Sequence, residues 1–123
     1  MRTYHCLFAL AASILLAGCA VPGKYTWGNY DRSLYTYYKD PTKTTEYLAA
    51  IEDIIQSAGK TQGKVPPGIY AEYGYFLMKA GKSTEAITQF EMEKVKWPES
   101  TQMMNAMIKI ATTQPTKPLS SKE

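Results

Sequence analysis

Apolar residues recur every three or four positions through five short stretches of this chain, and each stretch is broken off by Pro or Gly. That spacing puts the apolar residues on one face of an α-helix, whereas a half-buried strand alternates at every second position. No sustained alternation of Val, Ile and Thr occurs, so the pattern predicts an all-α fold of about five short helices. The first runs from about Asn29 to Lys39, with Tyr30, Leu34 and Tyr38 on one face. Asp40-Pro41 interrupts it, and Asp at an N-cap with Pro in the first turn predicts that a second helix starts there. This one carries Tyr47, Leu48, Ile51, Ile54, Ile55 and Ala58, with Gly59 as its expected C-cap.

A polar loop follows from Lys60 to Pro67. The third helix is expected from Gly68 to Ala80, on Ile69, Tyr73, Phe76, Leu77 and Ala80. Gly81-Lys82 makes a turn, and Ser83 is the expected cap of a fourth helix carrying Ala86, Ile87, Phe90, Lys94 and Trp97. Beyond Pro98, Ser100 is the expected cap of a fifth helix over 101–112, marked by Met103, Met104, Met107, Ile108 and Ile110. Residues 113–123 are Pro, Thr, Ser and Lys with one Leu, a composition expected to stay disordered.

The start of the chain reads differently. One charge, Arg2, precedes a nearly continuous apolar run from Cys6 to Leu16, which ends in Leu16-Ala17-Gly18-Cys19. A short charged start, an apolar stretch and small residues before a cut describe a secretory signal peptide. The run is too short for the roughly 20 apolar residues a membrane span needs. Leu16-Ala17-Gly18-Cys19 resembles the bacterial lipobox, which implies cleavage before Cys19 and a thioether from its thiol to diacylglycerol. Ala20, not Asp, follows Cys19. By the lipoprotein sorting rule this favours the outer membrane, facing the periplasm. The expected organisation is a signal peptide over 1–18, a lipidated tether over 19–27, a helical domain over 28–112 and a tail over 113–123.

Cleavage sharpens what composition excludes. Of 123 residues, 105 remain, and loss of Arg2 lowers the net charge from +3 to +2. His5 and Cys6 are also lost, so the mature chain has no His and its one Cys is lipidated. Catalysis usually recruits His or Cys, and zinc sites are built mainly from these same two residue types. Ser33, Ser57 and Ser83 have no Gly-x-Ser-x-Gly setting, and no phosphate loop or dinucleotide fingerprint occurs. Glu52/Asp53 and Glu91/Glu93 are too closely spaced to converge on one helix face, and Glu91 with Lys94 reads as a surface pair. The expectations are no catalytic residue, no metal, no cofactor besides the acyl lipid, no nucleic acid and no small-molecule substrate.

Residues 67–100 resemble a tetratricopeptide repeat. Tyr73-Gly74, Leu77, Gly81, Ala86, Phe90 and Pro98 carry the resemblance. Gly74 and Ala86 are small where two helices would cross, Gly81 turns the chain, Phe90 fills the space between the helices and Pro98 ends the second. Residues 28–60 read as a degenerate repeat, with Leu34, Tyr38 and Ile51 in equivalent positions and Tyr47 where a small residue is wanted. The helix over 101–112 reads as a closing half-repeat, since stacked neighbours are needed to bury each unit's faces. The resemblance implies a peptide groove lined by the first helix of each unit. Its positions would be Arg32, Thr36 and Lys39, then Ala71, Glu72, Tyr75, Met78 and Lys79.

The body also resembles a family of small Gram-negative outer-membrane lipoproteins of unknown function with a tetratricopeptide-like fold. The residues are Tyr25, Trp27-Gly28-Asn29-Tyr30, Leu34-Tyr35, Tyr37-Tyr38-Lys39 and the run Lys64-Val65-Pro66-Pro67-Gly68-Ile69-Tyr70-Ala71-Glu72-Tyr73-Gly74. Glu85-Ala86-Ile87, Phe90, Glu93-Lys94 and Trp97-Pro98-Glu99-Ser100 complete it. Such families are often encoded beside a curli-secretion-like lipoprotein, and the resemblance implies no catalytic activity. The expected function is a non-catalytic adaptor in an envelope or secretion assembly, bound to the membrane through its lipid and to a protein partner such as another envelope lipoprotein. The alternatives are an accessory factor or weak hydrolase for peptidoglycan, with Glu72 as its test residue, and a purely structural envelope lipoprotein. Six aromatic residues cluster at Tyr25, Trp27, Tyr30, Tyr35, Tyr37 and Tyr38, divided between core, partner surface and membrane contact.

Overall fold

A computed structural model describes residues 24–61 and 63–113. The expected signal peptide, the expected cleavage site at Leu16-Ala17-Gly18, the expected lipidation site Cys19 and the expected tail from 114 onward lie outside the described residues. The fold is all-α: α1 (Tyr30–Lys39), α2 (Thr44–Lys60), α3 (Ile69–Lys79), α4 (Ser83–Lys96) and α5 (Thr101–Thr113), with 3₁₀ turns at Pro41–Lys43 and Pro98–Ser100. Successive helices pack on one another in chain order. Among the described residues the extended backbone amounts to one isolated bridge, Tyr25 beside Lys64.

Two apolar clusters share α3. One holds Tyr47, Ile51, Ile54 and Ile69, with Tyr30, Leu34 and Tyr37 of α1 packed on it. The other holds Leu77, Met78, Ala86, Phe90, Met104 and Ala111. Tyr73 touches both. A helix covered on two sides cannot show a single apolar stripe, so α3 buries Tyr70 and Met78 as well as Ile69 and Leu77, while Ala80 is exposed. On α1 the face turned to the core is Tyr30, Leu34 and Tyr37, all half-buried, not Tyr38, which is 77% exposed. Seven positions along a helix return a residue to within about 20° of the first, whereas eight overshoot by about 80°. The stripe on α2 is as expected, with Tyr47, Ile51, Ile54 and Ala58 buried. On α5, Met104 and Ala111 are buried and Met107 and Ile108 pack on the cluster, but Met103 and Ile110 face solvent.

The helix ends follow backbone hydrogen bonding more than the expected caps. The Asp40 carboxylate accepts from the Thr42 N–H at 3.0 Å and the Thr42 hydroxyl at 2.6 Å, so it caps the 3₁₀ turn, and α2 proper starts at Thr44. Those two bonds hold the Asp40 carboxyl below its usual range. Gly59 lies inside α2. The helix ends at Thr61, whose N–H and hydroxyl both donate to the Ser57 carbonyl. Gly81, at φ +79°, ends α3: its N–H donates to Met78 and that of Lys82 to Leu77, the paired bonds of a Schellman motif. Ser83 is no cap. It is the first residue of α4, is buried, and its hydroxyl has no partner among the described residues. Ser100 sits in a 3₁₀ turn, its hydroxyl 3.5 Å from Glu93 Oε1, and caps nothing.

The small residues of 67–100 meet as expected. A Cβ on Gly74 would lie 2.6 Å from Phe90 Cε1 and 3.1 Å from the Ala86 carbonyl oxygen. Ala86 and Phe90 are fully buried. The loop before α3 is packed: Pro66 is buried, Val65 rests on the first cluster, and Gly68 enters α3 at φ +90°. Lys24 to Trp27, read as tether, is tied to this loop, since the Thr26 N–H donates to the Lys64 carbonyl at 3.0 Å.

Candidate partner-binding face

The expected groove residues divide into two groups. Arg32, Thr36, Lys39, Tyr75 and Lys79 are exposed. The other three are structural. Met78 is 7% exposed in the second cluster, and Ala71 packs against the same cluster. They point inward because α4 and α5 cover the side of α3 that a single unit would leave open. Glu72 accepts two hydrogen bonds: Tyr30 OH donates to Oε2 at 2.8 Å and Tyr47 OH to Oε1 at 2.5 Å. Both carboxylate oxygens are therefore engaged in joining α3 to α1 and α2.

An aromatic cluster surrounds this junction. Tyr47, 1% exposed, stacks on Tyr37 with ring centroids 5.1 Å apart and planes 6° apart. Phe76 presents its edge to Tyr37 at 5.6 Å and to Tyr47 at 5.7 Å. Tyr47, expected to be too large for its position, thus fills the space a small residue would leave, and its hydroxyl reaches Glu72. Burial raises the Tyr47 phenol, and the Glu72 carboxylate it bonds raises it further. Burial likewise raises Tyr30 and Tyr70. Tyr73 is pushed up to about 12, first by burial and then by its bond to Glu52.

These shifts set a direction for alkaline stability. A phenol whose folded pKa lies above its ordinary value of 10.0 stabilises the fold fully below pH 10. That contribution is lost as pH rises through the folded value. The expected outcome is a cooperative loss of helical circular dichroism between pH 10 and 12, coincident with tyrosinate absorbance. Tyr47→Phe should lower stability below pH 10 and make it fall less steeply with pH above 10. Titration of all tyrosines near pH 10 with the helices intact would contradict it.

An exposed pair of the same kind occurs on α1 and on α3. Lys39 Nζ lies over the Tyr35 ring, 5.6 Å from its centroid, and Lys79 Nζ over the Tyr75 ring at 5.9 Å. Tyr35 is 63% and Tyr75 43% exposed. Tyr35 was not among the expected groove positions, although the shared Tyr-x-x-x-Lys spacing at 35–39 and 75–79 marks it. Arg32 and Thr36 line a separate depression of about 400 Å³ with Asn29, Lys43 and Glu46, which includes neither Tyr75 nor Lys79.

Glu93 gave no such signal. It is 1% exposed on α4, and its Oε1 accepts from the Gly68 N–H at 2.7 Å, while Oε2 has no partner among the described residues. It anchors the left-handed entry of α3 to α4. Glu91 and Lys94 form the expected surface pair at 2.9 Å. Among the described residues no three His, Cys, Asp or Glu side chains group as metal ligands, and no helix is long and apolar enough to cross a membrane.

Residues 24–107 match the pattern of one protein family, described as Domain of unknown function (DUF4810). No curated protein and no solved structure matches the chain.

Proposed function

We propose that this chain, which belongs to the family described as Domain of unknown function (DUF4810), is a tetratricopeptide-like outer-membrane lipoprotein acting as a non-catalytic adaptor in an envelope assembly. The observation that carries the reading is the repeated exposed Tyr–Lys pair on α1 and α3. An exposed tyrosine under a lysine combines apolar area, a hydroxyl and a positive charge at low entropic cost, which is the make-up of interface anchors. The adjoining pairs α1–α2 and α3–α4, with Gly74 against Phe90 and Gly81 at the turn, support the tetratricopeptide likeness. Leu16-Ala17-Gly18-Cys19 after an apolar run supports the anchor, and Ala20 the outer membrane. The partner has an extended or helical segment with acidic and apolar side chains, in keeping with another envelope lipoprotein.

A photo-crosslinking amino acid at Tyr35 or Tyr75 in the full chain, expressed in its own envelope, tests this. The expected result is one discrete, reproducible crosslinked species from both positions. In the chain labelled at Tyr35, Tyr75→Ala with Lys79→Ala should remove it while changing the unfolding free energy by no more than about 0.5 kcal/mol, as for other surface positions. Recovery of the uncrosslinked chain alone from both positions would overturn the adaptor role. Mass spectrometry of the mature N-terminus tests the anchor separately.

A further inference from the structure

A second cleft, of about 420 Å³, opens at the end of the molecule where α2 and α4 terminate. Ile55, Ala58, Val65, Val95 and Trp97 supply its apolar wall, Lys64 and Lys96 its charge, and no acidic residue lines it. Val95, an aliphatic side chain beside this opening, is 70% exposed. Neither lysine forms an ion pair among the described residues. Trp97 also lines the cleft, and its indole N–H is buried without a partner among the described residues. The chain also enters the fold here: Tyr25 meets Trp97 edge-on at 5.8 Å, and the Thr26 N–H bonds Lys64.

We infer that this cleft seats an anionic phospholipid, its acyl chain against the Ile55–Val65–Val95 wall and its phosphate between Lys64 and Lys96. The volume lies in the range of ordinary ligand pockets. Lysine heads above an apolar wall match a molecule with a negative head and an apolar tail, and lysines are attracted to an anionic bilayer surface. The placement depends on the lipoprotein reading: Cys19 is five residues before Lys24, a span of at most about 18 Å. An anchor on that residue keeps the cleft at the membrane surface.

The test uses the full chain as processed by its host, carrying Trp27→Phe so that Trp97 is the sole tryptophan. It is reconstituted in nanodiscs whose phosphatidylglycerol or phosphatidylcholine carries bromines on the acyl chain. Stronger quenching of Trp97 by brominated phosphatidylglycerol is expected, and Lys64→Glu with Lys96→Glu should weaken that preference about tenfold. Equal quenching by both lipids, or none in discs that hold the protein, would overturn the inference. If Cys19 proves unlipidated, the anchor reading fails by itself. The cleft is then tested in solution with short-chain brominated phosphatidylglycerol, where quenching of Trp97 sustains the site and its absence overturns it.

Discussion

Phe90→Ala is expected to lower the unfolding free energy by about 3–5 kcal/mol, a large part of the roughly 5–15 kcal/mol such domains have. The ring, on α4, is fully buried in the cluster shared with α3 and α5, and it lies directly opposite Gly74. The converse change acts on the same contact. Gly74→Ala would drive a methyl to 2.6 Å from the ring, and the Ala86 backbone 3.1 Å away closes the other side. Overpacking of this kind costs about 1–3 kcal/mol. It outweighs the roughly 1 kcal/mol that Ala gains over Gly in a helix. The two changes should compensate, since the cavity left by Phe90→Ala accepts the methyl at position 74. Urea unfolding of the double variant is expected to show a coupling beyond about 0.5 kcal/mol. Strict additivity would mean that the helices already move apart at this crossing.

Glu72→Ala is the second large effect, expected at about 2–4 kcal/mol: a bond to a charged acceptor contributes about 1.5–3 kcal/mol, less where the carboxylate is only half-buried, and the buried phenol of Tyr47 is left unpaired. Glu72→Gln keeps one carbonyl acceptor and should fall between that variant and the native chain. In the Tyr47→Phe background Glu72→Ala should cost distinctly less, since one of its two donors has gone. Thermal melts of the four proteins measure this directly. An unchanged melting temperature in Glu72→Ala would return Glu72 to the list of free groove residues and contradict its role as the tie between α3 and the first helix pair.

The helices themselves were legible because they depend on neighbours three and four positions apart. The α2 stripe of Tyr47, Ile51, Ile54 and Ala58, the turn at Gly81 and the close pairing of Gly74 with Phe90 could all be read along the chain. The candidate face was legible in part. Tyr75, Lys79 and Lys39 are exposed as expected, while Met78 and Glu72 are inside. Periodicity identifies one apolar face, and α3 has two because clusters form on both its sides. Tyr37 and Tyr38 differ by one position, and which of them entered the core depended on the direction from which α2 and α3 approached α1.

By its own pattern, then, the sequence determined that the chain is all-α, where its helices lie and that a glycine must face a phenylalanine where two of them cross. These are local steric requirements, met within a few turns of chain or between adjacent helices. Only the tertiary structure decided which polar groups are used up inside. Tyr30 and Glu72 are 42 positions apart, and Gly68 and Glu93 are 25 apart. Each carboxylate would be an ordinary surface charge on an isolated helix. Burial by a neighbouring helix makes it the acceptor that a hydroxyl or backbone N–H requires, while Tyr35 and Tyr75 stay exposed.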